Sequence, residues 1–116
     1  LKVTIRTETP EMKSQRPYAL RKIRSAFRRL SENIRQIDLF LLDVNGPRGG
    51  VDKVSRIAVD LGRGRILRLE GVGRTFRESV DDAVSRTRRQ VIRSLSRRRL
   101  EPRKARKSTV PARSLT

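Results

Sequence analysis

Apolar residues in this chain switch between two periods, and the order of the switches limits the fold more than any other feature. Leu1, Val3 and Ile5 alternate with Lys2, Thr4 and Arg6, the period of a half-buried strand, and Thr9-Pro10 closes it. Leu20, Ile23, Phe27, Leu30 and Ile34 recur every three or four residues, which predicts one apolar face of a helix. Pro17 suits the first turn of that helix, where its missing N–H costs nothing, and Asn33 marks a stop. Residues 36–44 are apolar in both phases, as in a central strand covered on at least one side. Ile57, Val59 and Leu61 alternate again, Gly62 and Gly64 mark a turn, and Arg65 to Val72 reads as the hairpin partner. Thr75-x-x-Glu78 is a capping box that opens a second helix, with Phe76, Val80, Val84, Thr87, Val91 and Leu95 as its buried stripe.

The predicted order is β-α-β-β-β-α. It implies an α+β domain in which two helices cover one face of a four-stranded sheet, a sandwich like that of double-stranded-RNA-binding domains. The first crossover places two strands in parallel, and the later connections are hairpins. Residues 1–98 are expected to form this domain. From Leu100 the apolar period is lost, and residues 99–116 are expected to be a basic, disordered tail. The chain starts on Leu1 rather than Met, so the natural start is expected upstream.

Charge narrows the partner. The 116 residues carry 30 Lys and Arg against 12 Asp and Glu, a formal net charge of +18. Residues 1–96 hold 22 basic and 11 acidic residues, and the last 20 hold 8 and 1. The partner of such a chain is expected to be a polyanion. Arg outnumbers Lys 24 to 6, which fits either phosphate recognition by the guanidinium fork or a genome whose codon usage favours Arg. The absence of Cys and His removes disulfides, thiolate nucleophiles, imidazole ligands and Ser-His-Asp triads. The longest apolar run, Leu39 to Leu42, is far short of the ~20 residues of a membrane span, and no signal-peptide core is visible.

The distribution of the cations matters more than their number. Arg86, Arg89, Arg93 and Arg97 fall within about 80° of one another on a helical wheel, on the side away from the apolar stripe. Like charges on one face repel, and a phosphate backbone turns that repulsion into attraction while releasing counterions. An ordinary solvated face carries both signs; this one carries a single sign. Arg24 and Arg28 on one flank of the first helix, and Lys22 and Arg29 on the other, are second candidates. Lys53 and Arg56 form a third group. Asn45 to Gly50 (NGPRGG) reads as a turn, and Arg48 with the loop's backbone N–H groups is a further phosphate contact, although the P-loop spacing is absent. Stacking of single strands on aromatic residues is not expected, because only Tyr18, Phe27, Phe40 and Phe76 exist and none falls in an RRM motif. Asp43, Asp52 and Asp60 lie on or beside neighbouring strands, as in a metal-dependent nuclease, but no two acids share close spacing on one strand, and acids among many arginines are ordinarily ion-pair partners.

Two strings carry a resemblance. DVNGPRGGVDK (Asp43 to Lys53) and SVDDAVSRTRRQV (Ser79 to Val91), set in this element order, resemble the ribosome hibernation promoting factors, a family also called protein Y, ribosome-associated inhibitor A or sigma-54 modulation protein. The similarity runs from Leu1 to about Arg98. Val80 and Asp81 match the apolar-Asp pair of the family's second helix, and Arg86, Arg89 and Arg93 match basic positions that face small-subunit rRNA. The resemblance implies a cytoplasmic, non-enzymatic factor without cofactors. Such a factor occupies the decoding channel of the small subunit, where mRNA and tRNA lie, and blocks initiation in stress or stationary phase. Long forms add a dimerisation domain; a short basic tail in its place implies a monomer. The rival readings are a general structured-RNA or DNA-binding protein with no preference for the ribosome, a nuclease using Asp43, Asp52 or Asp60, and a constitutive ribosomal protein.

Overall fold

The period-two segments become the strands of one mixed sheet. In the computed structural model, which describes residues 1–44 and 52–100 with side chains as far as Arg97, the elements are β1 (Lys2–Thr7), α1 (Arg16–Phe27), β2 (Gln36–Asp43), β3 (Lys53–Asp60), β4 (Ile66–Gly73) and α2 (Phe76–Leu100). The strand order is β1-β2-β3-β4. β1 and β2 are parallel across the α1 crossover, and β2–β3 and β3–β4 are antiparallel. The α+β order predicted from periodicity is the order observed.

One face of the sheet supplies Ile5, Ile37, Leu39, Leu41, Ile57 and Val59 to the core. Ala19, Ile23 and Phe27 of α1 and Val80, Ala83, Val84, Val91 and Leu95 of α2 cover them. Each fully buried Ile, Leu or Phe contributes about 1.5–3 kcal/mol against exposure. The opposite face of the sheet carries no helix among the described residues. Its row across the strands is Arg6, Phe40, Arg56 and Glu70, each paired in register with the next.

Three boundaries differ from the sequence reading. The first helix does not run on to Asn33. It ends at Phe27, and a 3-10 turn, Arg28–Asn33, carries the chain to Ile34. Ile34 is buried but extended, so its place in the apolar period comes from tightened turns, and Ser31 and Asn33 favour such turns over a regular helix. β3 begins at Lys53, earlier than its clean alternation, because Val54 and Ser55 are both buried. α2 continues to Leu100, two residues beyond the helix end that the sequence places at about Arg98. The expectations for Asn45–Gly50 and for the tail from residue 101 lie outside the described residues.

Candidate nucleic-acid interface

The arginines of α2 are aimed by the way its first turns meet β4. Thr75 Oγ1 accepts the N–H of Glu78 at 3.1 Å, as the capping box requires. The reciprocal bond is shifted by one residue: Glu78 Oε1 accepts from Arg74 N at 3.0 Å. Beneath this turn the sheet is bare. A Cβ on Gly71 would lie 2.2 Å from Ala83 N and 2.4 Å from Ser79 O, and one on Gly73 would lie 2.7 Å from Ser79 N. Helix and strand therefore meet backbone to backbone, and the buried hydroxyls of Ser55 and Ser79 bond each other at 2.8 Å beside the crossing.

Held in this way, α2 turns Arg89, Arg93 and Arg97 to solvent. None of the three forms an ion pair or hydrogen bond with another described residue. Their axial spacing, roughly 6 Å per four residues, sets a line of free guanidinium groups. Arg86 leaves that line. Its Nη1 donates to the Glu70 carbonyl at 2.9 Å and lies 3.7 Å from Asp82, so it folds over the β4 edge.

The second group of candidates divides in the same way. Arg24, Arg28 and Arg29 are exposed. Lys22 instead faces α2, 3.6 Å from Asp81. Asp81 also accepts the Tyr18 hydroxyl at 2.6 Å, and the Arg77 guanidinium covers the Tyr18 ring at 4.6 Å. The bond to Asp81, with burial second, raises the Tyr18 pKa above its ordinary 10.0. Farther along, Arg88 Nε donates to the Ala26 carbonyl at 3.0 Å, satisfying a carbonyl in the last turn of α1. The contacts pair 18 with 81 and 26 with 88, so the helices run side by side in the same direction. The Arg28–Arg29 turn that follows α1 thereby lies alongside the arginine-rich half of α2. Sequence reasoning missed Arg77 and Arg88; their place beside Asp81 and Ser85 on the wheel, off the one-signed stripe, is the signal that marks them as seam residues.

Lys53 is bound within the fold. Its ammonium lies 3.0 Å from both Asp52 Oδ1 and Asp43 Oδ2, and it sits over the Phe76 ring at 5.8 Å. The bonds to Asp52, then Asp43, hold its pKa above the ordinary 10.5. Two of the three carboxylates considered for a metal are thus partners of one lysine, and the third, Asp60, accepts the Gly62 N–H at 2.8 Å. Arg56 lies on the open sheet face and pairs with Glu70 at 2.7 Å. Arg48 lies outside the described residues.

No protein-family model matches the chain, and no curated protein does. Two solved structures are similar to it. The N-terminal domain of Thermus thermophilus protein Y matches with a TM-score of 0.62 and 22% identity, over 81% of this chain and 99% of that one. A ribosomal subunit interface protein from Coxiella burnetii matches with a TM-score of 0.65 and 12% identity, over 83% and 99%. The fold is that of the protein Y N-terminal domain. On this protein Y fold, the helix layer carries Arg24, Arg28, Arg29, Arg89, Arg93 and Arg97, all exposed and without an ion pair among the described residues. A guanidinium group can take a phosphate oxygen pair bidentately, a contact that follows a backbone and carries no base sequence.

Proposed function

We propose that this chain is a ribosome-associated hibernation factor. In this reading it binds rRNA of the small subunit in the decoding channel and blocks initiation under stress or in stationary phase. It works in the cytoplasm, by occlusion and without catalysis. Residues 1–98 are the binding domain, and residues 99–116 are a basic arm that adds affinity without sequence specificity. The observation that carries the proposal is the one-signed face of Arg89, Arg93 and Arg97 on a fold shared with protein Y and with a ribosomal subunit interface protein. Arg24, Arg28 and Arg29 extend that face, and the field of the chain steers it toward RNA. Arg86, Lys22, Lys53, Arg56 and Arg48 are secondary contacts, and the first four are also engaged within the fold.

Sedimentation with vacant ribosomes and with polysomes, in excess competitor duplex RNA, tests the proposal. Retention on the small subunit and on vacant ribosomes but not on polysomes is expected. The folded double variant Arg89→Glu/Arg93→Glu is expected to be lost from both. Loss of the wild type to the competitor would instead indicate a general structured-RNA or DNA binder.

A further inference from the structure

The face of the sheet opposite the helices is also built to meet an anion, and its chemistry differs from that of the helix layer. It is a shallow concavity of about 760 Å³, lined by Arg6, Phe40, Arg56, Ala58, Arg68 and Arg86 among others. A recess of this size is within the range that takes a small organic group. Four arginines line it against two acids, Asp38 and Glu70. Glu70 is occupied by Arg56 at 2.7 Å, and Asp38 accepts from Gln36 at 2.7 Å. Arg6 and Arg68 are exposed and pair with no carboxylate among the described residues. A solvated sheet face ordinarily sets opposite charges across from each other; here the surplus is positive.

Between these charges the lining is apolar, with Phe40, Ala58 and Val72. Phe40 lies between Arg6 and Arg56 in the strand register, with the Arg6 guanidinium over its ring at 5.3 Å. Ala58 adds no bulk beside it, and Val72 is 47% exposed nearby. We infer that this face is a second nucleic-acid site that takes a single-stranded RNA segment, the Arg6 guanidinium swinging from the Phe40 ring to a phosphate as a base takes its place against Phe40 and Ala58, with Arg68 holding a further phosphate. A duplex offers only phosphates and sugars, which would leave the apolar lining unfilled. A single strand offers both unstacked bases and phosphates. Base stacking on an aromatic ring or on an arginine plane is the usual means of holding such a strand. The site lies on the other side of the sheet from Arg89 and Arg93 and shares with the ribosomal reading only the secondary contacts Arg56 and Arg86. Arg86 joins it through the Glu70 carbonyl, which explains why that arginine departs from the helical line.

Fluorescence anisotropy of the full chain with a labelled oligouridine and with a blunt RNA duplex separates the two faces. Arg6→Glu/Arg68→Glu is expected to weaken oligouridine binding by about tenfold or more and to leave duplex binding within about twofold. Arg89→Glu/Arg93→Glu is expected to do the reverse. Phe40→Leu, which keeps an apolar side chain, is expected to weaken oligouridine alone. Crosslinking of a 4-thiouridine oligonucleotide to the wild type needs no variant and is expected to label peptides of β2, β3 and β4. Equal losses of oligouridine binding in both charge-reversed pairs, crosslinks confined to α2, or no oligouridine binding by the wild type would each overturn the inference.

Discussion

The hydroxyl of Tyr18 donates to Asp81 Oδ1 at 2.6 Å, joining the first turn of α1 to the second turn of α2. Lys22 and Arg77 close around the same pair. These contacts fix the rotation of one helix against the other. That rotation decides whether Arg28 and Arg29 and the line from Arg89 to Arg97 form one surface.

Tyr18→Phe is therefore expected to lower stability by about 1 kcal/mol near neutral pH, the usual net worth of one such bond. The pH dependence follows from linkage. The folded-state pKa of Tyr18 is raised, so its contribution is complete below the ordinary 10.0 and is lost as pH rises through the folded value. Lys53 has the same sign, beginning from 10.5. Urea midpoints of the wild type should fall across this alkaline range, and those of Tyr18→Phe should fall less steeply.

Gly71→Ala is expected to destabilise by about 3 kcal/mol, toward the upper end of overpacking costs, because the new methyl meets the backbone of Ala83 and Ser79 rather than a side chain that can move. Gly64→Ala is the control. Gly64 has φ +76 but nothing within 4 Å of the added carbon, so only the left-handed conformation is strained, at about 1 kcal/mol. Thermal melts of the two variants should differ in that order.

The element order was legible because strands and helices bury one face each, and the core residues announce themselves by period. Phe27, Val80, Val84, Val91 and Leu95 are where the spacing puts them. The site was legible only in part. Arg89, Arg93 and Arg97 keep the single-signed face that the wheel predicts. Lys22, Arg56 and Arg86 find partners distant in sequence, Lys53 is held by its neighbour Asp52 and by Asp43 across the β2–β3 pair, and no wheel contains Asp81 opposite Lys22 or the Glu70 carbonyl opposite Arg86. The open sheet face was hidden for the same reason. Arg6, Phe40, Arg56 and Arg68 occupy the outward phase of four separate strands, and only the strand order and register make them neighbours.

Thr87 is fully buried in α2, and its hydroxyl has no hydrogen-bond partner among the described residues. Thr87→Val keeps the shape and removes the unsatisfied group. It is expected to stabilise the domain by about 1 kcal/mol, a rise in melting temperature with RNA binding unchanged.

The salt dependence of duplex RNA binding should distinguish free arginines from engaged ones. Each of Arg89→Gln, Arg93→Gln and Arg97→Gln is expected to reduce the slope of log affinity against log salt by about one. Arg86→Gln is expected to change it by less, because that side chain is turned to the Glu70 carbonyl and Asp82. Titration at several salt concentrations checks all four.

β1 and β4 form the two outer borders of the sheet, to which another copy could add a strand, although on β4 the Glu70 carbonyl and the Val72 N–H are already taken by Arg86 and Asp82 of α2. Lys2 and Arg6 stand on one border and Arg68 on the other. Two copies approaching border to border would bring like charges together. The cations proposed to meet RNA thus also stand as gatekeepers against aggregation. Their protection is lost when a polyanion neutralises them, so concentrated protein should stay dispersed on its own and begin to coalesce when sub-stoichiometric RNA is added.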